Sequence, residues 1–481
     1  MQISIMGFVV CALLLTAGYY MRGPVIIAMI AALAFGSTSL MTLTSLGGSS
    51  PLIYTMFAAL FVGTMVIRRH LWSELGTAFA TIRVNWLIVG LVAYAIIGAW
   101  LFPRFFLGQT SVFVQSSSRY GVVEASLAPV NSNITQTAYF TLGAITSIGL
   151  SVLLLARDRL EQVRRGFLVW ASLHCAMGAI DLVGKLAGAG DLLAPIRTAN
   201  YVNLTEASEG GFWRIAGAFS EASSFGAVSL ACIAFSYTYW RKSGSRYARN
   251  LTFALLVLLL LSTSSTAYVG IAIISLPVLV GLGQSLVAKR FSQDDVLIVV
   301  TFTTGALLML ALVLSDRAFF EPFVRLVDDM VFNKLSSDSG QERTYWNMKS
   351  LQAFADTGGL GIGFGSSRAS SWPIAVISQL GAIGALMTAA LALVIFRGLG
   401  KMRGAVDRQT EATVSAVRAA SLAGMVAGSL ISGTADPGML FFIALAVIAS
   451  TRARVRLRSG YAAAAPAPTP PNRLATQYGA A

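Results

Sequence analysis

The sequence predicts an all-α, polytopic membrane protein with a large extracytoplasmic loop that carries helices of its own. Three observations predict it. Hydrophobic residues make up 56% of the chain and charged residues 12%, about half the charge density of a soluble protein. Apolar runs of roughly 20 residues, each enough to cross a bilayer, recur along most of the length. Between them lies one polar island, residues 315–371, rich in arginine, lysine and carboxylates.

Taken in order, the apolar runs predict thirteen spans, near 3–20, 24–43, 52–67, 86–102, 135–156, 167–189, 222–240, 251–262, 266–283, 296–314, 372–396, 414–433 and 438–450. The first follows only Met1 and Gln2, without the cationic start of a cleavable signal peptide. Residues 68–83 are too polar to cross. Leu71, Trp72, Leu75, Phe79 and Ile82 nevertheless share one helical face, so a helix lying along the membrane surface is expected there. Segments 103–134, 190–221 and 315–371 are longer than turns. In the last, Phe319, Phe323, Leu326, Val327 and Met330 recur at helical spacing. A second helix is expected from Ser339, with Ser339 and Glu342 as a capping box, to about Asp356, where Gly358 and Gly359 stop it. Residues 459–481 are Ala/Pro-rich and read as a disordered tail, leaving 1–458 as one transmembrane unit.

The net charge of +14 could suggest nucleic acid, but the distribution of cations explains it otherwise. With the N-terminus outside and the C-terminus in the cytoplasm, 24 of the 35 lysines and arginines fall on cytoplasmic segments. That is the positive-inside pattern, and no nucleic acid is expected as a partner. The stretch 251–283 decides the topology. Read as one long helix it would invert everything downstream and put the cations at 289–290, 397–418 and the tail outside. Charge therefore favours two short spans meeting at the break Ser262–Thr266, with the island outside.

Several polar residues could carry chemistry. Arg214 and Glu221 are seven residues apart, two turns on one face if the segment is helical. Glu221 could equally be a first-turn carboxylate complementing the dipole of the span that starts near Ala222. Arg343, placed in the first turn of the loop helix, is unfavourable to that dipole, which points to another use such as a phosphate contact. The run Gly361–Gly365 could bring backbone N–H groups to an oxyanion, or could simply permit tight packing. Arg368 follows as a second candidate phosphate ligand. His174, Asp181 and Lys185 share one face of a span, with Asp181 and Lys185 expected to pair. The glycine pairs Gly184–Gly188 and Gly424–Gly428 read as helix packing. With no D-x-D, no Walker loop, three scattered cysteines and only His70 and His174, no metal or other cofactor is expected. Transfer from a sugar diphosphate needs less: cations to stabilise the leaving group and one base for the acceptor hydroxyl.

The stretches "RIAGAFSEASSFGA", "LLLLSTSSTAYVGI" and "ERTYWNMKSLQAFADTGGLGIGFGSSR" together resemble the O-antigen ligase / Wzy-type polysaccharide polymerase superfamily of membrane glycosyltransferases. The resemblance covers roughly residues 200–450. It implies a GT-C-like, metal-independent, inverting enzyme of the bacterial inner membrane with its active site facing the periplasm. Its substrate would be an undecaprenyl-diphosphate-linked oligosaccharide entering from the membrane lipid, with a flippase and a chain-length regulator as partners. Carried over residue by residue, the diphosphate-holding role falls to Arg214 and Arg343. Two positions depart from the family. Ser264-Ser265-Thr266 stands where an arginine is frequent, and no histidine follows residue 174, where ligases carry their base. Glu221-Ala222-Ser223 resembles the Glu-Pro-Ser element of exopolysaccharide polymerases. The expectation is therefore a polymerase with Glu221 as base and Arg214, Arg343 and Arg368 on the diphosphate. A ligase, or a lipid-linked glycan transporter without catalysis, is the alternative.

Overall fold

The computed structural model describes residues 2–46, 48–115, 121–156, 159–205, 208–209, 212–289, 291–315 and 337–464, and these are mostly helical. The helix expected around Phe319–Met330 lies outside the described residues, as does the tail from 465 onward.

The N-terminal half opens with α1 (Ile5–Tyr20) and α2 (Pro24–Ala31), the latter started by a proline at N1. α2 is shorter than the apolar run predicts. A 3₁₀ turn ends it at Ala34, because Ser37, Thr38 and Ser39 bond to residues 196–198 and 218 instead of continuing the helix. Ile26–Ala31 are all buried, so this apolar run fills a protein core between α1, α3 (Ile53–Val66) and α7 (Leu160–Leu186). The surface helix expected at 68–83 is present as α4 (Leu71–Thr81), with Trp72 84% exposed. α5 (Val84–Phe105) and α6 (Asn131–Ala156) follow. Between them the expected loop contains an antiparallel hairpin, β1 (Ser111–Gln115) with β2 (Val122–Ser126).

α8 (Ala222–Ser243) lies at the centre of the C-terminal half. α9 (Arg246–Leu261) runs back along it, and α10 (Ser265–Val287) returns in α8's own direction. Gly226 of α8 faces Ser264 and Ala267, and Leu230 faces Gly270. The stretch 251–283 is thus a helical hairpin broken at Ser262–Ser264, as charge predicts, and not one long helix. α11 (Gln293–Ser315) leads to the island. Beyond it come α12 (Asp338–Asp356), α13 (Trp372–Arg397), α14 (Arg408–Ile431) and α15 (Met439–Ala464). α14 buries Ala412, Ala416 and Ala420 at four-residue spacing, with Gly424 next in the series. Gly424 faces Leu440 of α15, and α14 also packs along α8.

Six described helices, α5, α6, α7, α10, α13 and α14, are long and apolar enough to cross a membrane; α1, α2 with its 3₁₀ turn, and α3 are apolar but shorter. Three further expectations are corrected. α12 starts two residues early: Ser337, not Ser339, caps it by accepting from the Gly340 N–H. That puts Arg343 in the second turn, away from the strongest field of the helix dipole. α7 ends at Leu186, so Gly188 lies beyond the helix with φ +66° and is not part of a packing motif. α15 stays helical through 459–464, so the tail cannot begin at 459.

The connections sort into two ends. At one end residues 37–50, 113, 132, 199–204, 218–220, 364–370 and 432–436 are joined by hydrogen bonds. At the other, cation-rich turns are joined: Arg165 to the Met21 carbonyl, Arg241 to Asp295, Lys242 to Glu411, and Arg408 to the Lys242 carbonyl.

Candidate functional site at the loop-rich end

The segment carrying Arg214 and Glu221 is not helical. Gly217 takes φ +55°, which an L side chain rarely adopts, and the chain runs extended or turning from Phe212 to the start of α8. The argument that Arg214 and Glu221 share a helical face therefore fails. What fixes this strap is a buried ionic network. Asp181 on α7 accepts hydrogen bonds from the Ala216 and Gly217 N–H groups at 2.7 and 3.0 Å. It also pairs with Lys185 at 3.0 Å, the i,i+4 pair expected from the sequence. Lys185 donates in turn to the Arg214 carbonyl at 2.6 Å. Arg197 donates to the Gly217 carbonyl, pairs with Asp191, and stands 3.9 Å from Asp181. Two cations and two carboxylates thus satisfy one another and the backbone of 214–217, as buried charges must. His174 instead hydrogen-bonds Ser229 on α8 at 2.7 Å.

Glu221 is the residue before α8, in extended conformation, half-buried at that helix's N-terminus. Its Oε1 accepts from Ser223 Oγ at 2.5 Å and from Ser224 Oγ at 3.4 Å. Glu221 thus stands at the N-cap position, one residue before the first turn, and its side chain makes no capping bond to the helix backbone.

The glycine run serves packing. The N–H groups of Ile362 and Gly363 bond to the Ser378 and Gln379 carbonyls, and that of Gly365 to Gln379 Oε1. None of these three is aimed at an oxyanion. The run fits against a break in α13: Gly381 has φ +64° and ψ −170°, and a Cβ there would lie 2.2 Å from the Leu360 carbonyl oxygen. The Ala382 N–H bonds to the Gly359 carbonyl across the break.

This packing holds Arg368 at the loop-rich end. The Arg368 N–H bonds to the Phe113 carbonyl, the Ala369 N–H to the Gly433 carbonyl, and the side chain is exposed. α12 is docked on the same loop. Asn347 Oδ1 accepts from the Ser370 N–H at 2.9 Å, and Tyr345 and Trp346 pack on Phe113. Arg343, half-buried, sits one turn before Asn347 on the same face of α12, about 6 Å along the axis.

Between Arg368 and Glu221 runs the strip 200–204. The Asn200 N–H bonds to Ser50 Oγ, and the Leu204 N–H bonds to the carbonyl of Ser220, the neighbour of Glu221. Tyr201 on this strip is 45% exposed, and the Arg368 charge acts on its phenol. Burial holds that phenol above its usual range, Tyr139 adds to the effect, and Arg368 opposes it. Asp436 lies half-buried in the turn between α14 and α15, and its charge acts on Tyr54. Desolvation pushes its carboxyl up to about 6, while the Gly438 N–H on Oδ1, at 2.8 Å, works in the opposite direction. Sequence reasoning overlooked Asp436 and Arg197. Asp436 had a signal, since it is the only charged residue between Arg418 and Arg452, and Asp-Pro-Gly marks a turn. Arg197 had none.

No protein-family model and no curated protein matches the chain.

Proposed function

We propose that the chain is a membrane glycosyltransferase, GT-C-like with about 12–13 passes, acting as a polysaccharide polymerase. It would move a growing glycan from undecaprenyl diphosphate onto a new lipid-linked repeat unit. What supports this reading is that arginines and carboxylates share the loop-rich end of a helical bundle: the turn of Asp436 is tied to the loop of Arg368, the helix carrying Arg343 is docked on that same loop, and Glu221 starts α8 beside the strip 200–204. Cations so placed can neutralise a departing diphosphate, and a carboxylate can accept the proton of an attacking hydroxyl. A single in-line displacement would invert the anomeric centre. Arg214, half-buried on the clamped strap, would complete the diphosphate subsite. The periplasmic face of a bacterial inner membrane is where such a lipid donor is presented. A closed, charge-balanced network of Asp181, Lys185, Arg197 and Asp191 suits a rigid scaffold better than the wetted path a transporter needs.

The test is made in cells. Deletion of the gene should leave undecaprenyl-diphosphate-linked single repeats and no polymer, and Arg343→Ala or Arg368→Ala should shorten or abolish polymer by at least tenfold in yield. Unattached long chains would indicate a ligase. Normal polymer from both variants would remove the diphosphate role.

A further inference from the structure

The turn between α14 and α15 offers a second carboxylate, and its surroundings differ from those of Glu221 in a way that assigns the two groups different work. Glu221 Oε1 is engaged by two serine hydroxyls and the carboxylate stands at a helix N-terminus, which is the arrangement of a group that holds α8 in place. Asp436 is held by its backbone. The Trp372 indole N–H bonds to the Ala435 carbonyl at 3.2 Å, the Ala369 N–H bonds to the Gly433 carbonyl at 3.1 Å, and the Gly438 N–H bonds to Oδ1. The turn is thereby tied to the loop of Arg368, whose side chain packs against Gly433 so closely that a Cβ there would lie 2.7 Å from Arg368 Cγ. The Asp436 charge acts on Tyr54 at the start of α3; Tyr54 in turn neighbours Tyr201 on the strip 200–204 and Tyr139 on α6, whose hydroxyl hydrogen-bonds Ser49 at 2.7 Å.

We infer that Asp436, and not Glu221, takes the proton from the acceptor sugar hydroxyl, and that Tyr54, Tyr139 and Tyr201 form the surface against which the acceptor sugar rests. This rests on the glycosyl-transfer reading above. In the step, the acceptor oxygen forms the new bond to the anomeric carbon as its proton passes to an Asp436 Oδ. The bond from that carbon to the diphosphate breaks, its electron pair leaving with the polyprenyl diphosphate beside Arg368 and Arg343. The proton is afterwards released to water. Phenol rings offer a sugar both an apolar face and a hydroxyl partner. A carboxyl raised towards neutrality by desolvation is a stronger base than an ordinary one and is still ionised at pH 7.

The experiment uses the purified full-length protein in lipid nanodiscs and, as probe, the undecaprenyl-diphosphate glycolipid extracted from cells deleted for the gene. Wild type should elongate the probe at a rate that rises with pH through about 6 and then levels. Asp436→Asn should lose about 10²–10⁴-fold in rate, the usual share of a general base, while retaining the probe within threefold in a binding assay. Asp436→Glu should restore part of the rate with the acid limb displaced. Glu221→Gln should keep the limb. If Asp436→Asn turns over within fivefold of wild type with the same limb, or if Asp436→Glu leaves the limb in place where the Asn variant does not fold, the inference is overturned while the glycosyl-transfer reading stands. Absence of product from wild type overturns both.

Discussion

Asp181, Lys185 and Arg197 bond to the backbone of 214–217, so they set where Arg214 and Glu221 stand. Of these, the Asp181–Lys185 pair was legible, because i,i+4 opposite charges inside an apolar helix have to find each other. Arg197 was not: its partners are 6, 16 and 20 residues away, across turns that no periodicity describes. The same limit hid the use of Asp436, whose position in a turn could be read but whose neighbour Tyr54 comes from α3 and whose turn is tied to the distant loop of Arg368. Removing one member of a buried network leaves the others uncompensated, which costs about 3–5 kcal/mol. Arg197→Ala is therefore expected to lower the thermal midpoint of the solubilised protein sharply. Arg343→Ala, on a half-buried side chain of α12, should change it little. Equal midpoints for the two variants would mean that the network does not hold the strap.

Among the elements, the most useful sequence signals were breaks. The Ser262–Thr266 interruption and the Gly358-Gly359 stop both mark real ends, because serine, threonine and glycine offer the backbone something other than the next helical turn. Starts were less certain. Ser336-Ser337-Asp338-Ser339 holds four residues able to cap α12, and choosing among them needs the backbone geometry. The hairpin β1–β2 and its contact with α12 were not legible at all. They depend on Glu124, which accepts from Tyr345 at 2.8 Å and pairs with Lys349 at 3.3 Å. Hydrogen bonds from Ser111 first, then from Tyr345 and Lys349, hold the Glu124 carboxyl below its usual 4.5. A carboxyl whose value is lowered by folding contributes above its unfolded value and loses that contribution as pH falls through the lowered one. Docking of α12 on the hairpin should thus be constant from neutral pH down to about 4.5 and weaken below it. Proteolysis of the Gly358–Gly359 turn should accelerate over that acid range in wild type and be independent of pH in Glu124→Gln. An identical acid response in the variant would assign the docking to the aromatic contacts with Phe113 alone.

For the whole molecule, hydropathy identified a helical membrane protein but overstated how regularly the apolar runs become spans. The run at 24–43 is the instructive case: its first half is buried on every side by other helices, and its second half leaves the helix to build the loop-rich end. An apolar run records removal from water, and a protein core removes it as well as lipid does. What survives is the partition of segments between two ends, because each helix must deliver the chain to the end opposite the one it left. Turns 21–23, 241–249, 288–289 with 291–295, and 397–408 gather at one end and carry many of the arginines and lysines; 199–205, 212–220, 357–371 and 432–438 gather at the other. Cation excess favours the cytoplasmic side. Topology reporters inserted after Gly244 or Gly404 should therefore read as cytoplasmic, and those after Asn203 or Gly358 as exterior. The four positions test different things. A cytoplasmic reading at Gly358 with an exterior one at Gly404 would invert the molecule and place Arg368, Tyr201 and Asp436 where no exported glycolipid reaches them. Like readings at Gly358 and Gly404 would mean that α13, broken at Gly381, enters the membrane without crossing it. Only the predicted pattern is compatible with the proposed transfer between lipid-linked glycans at the outer leaflet.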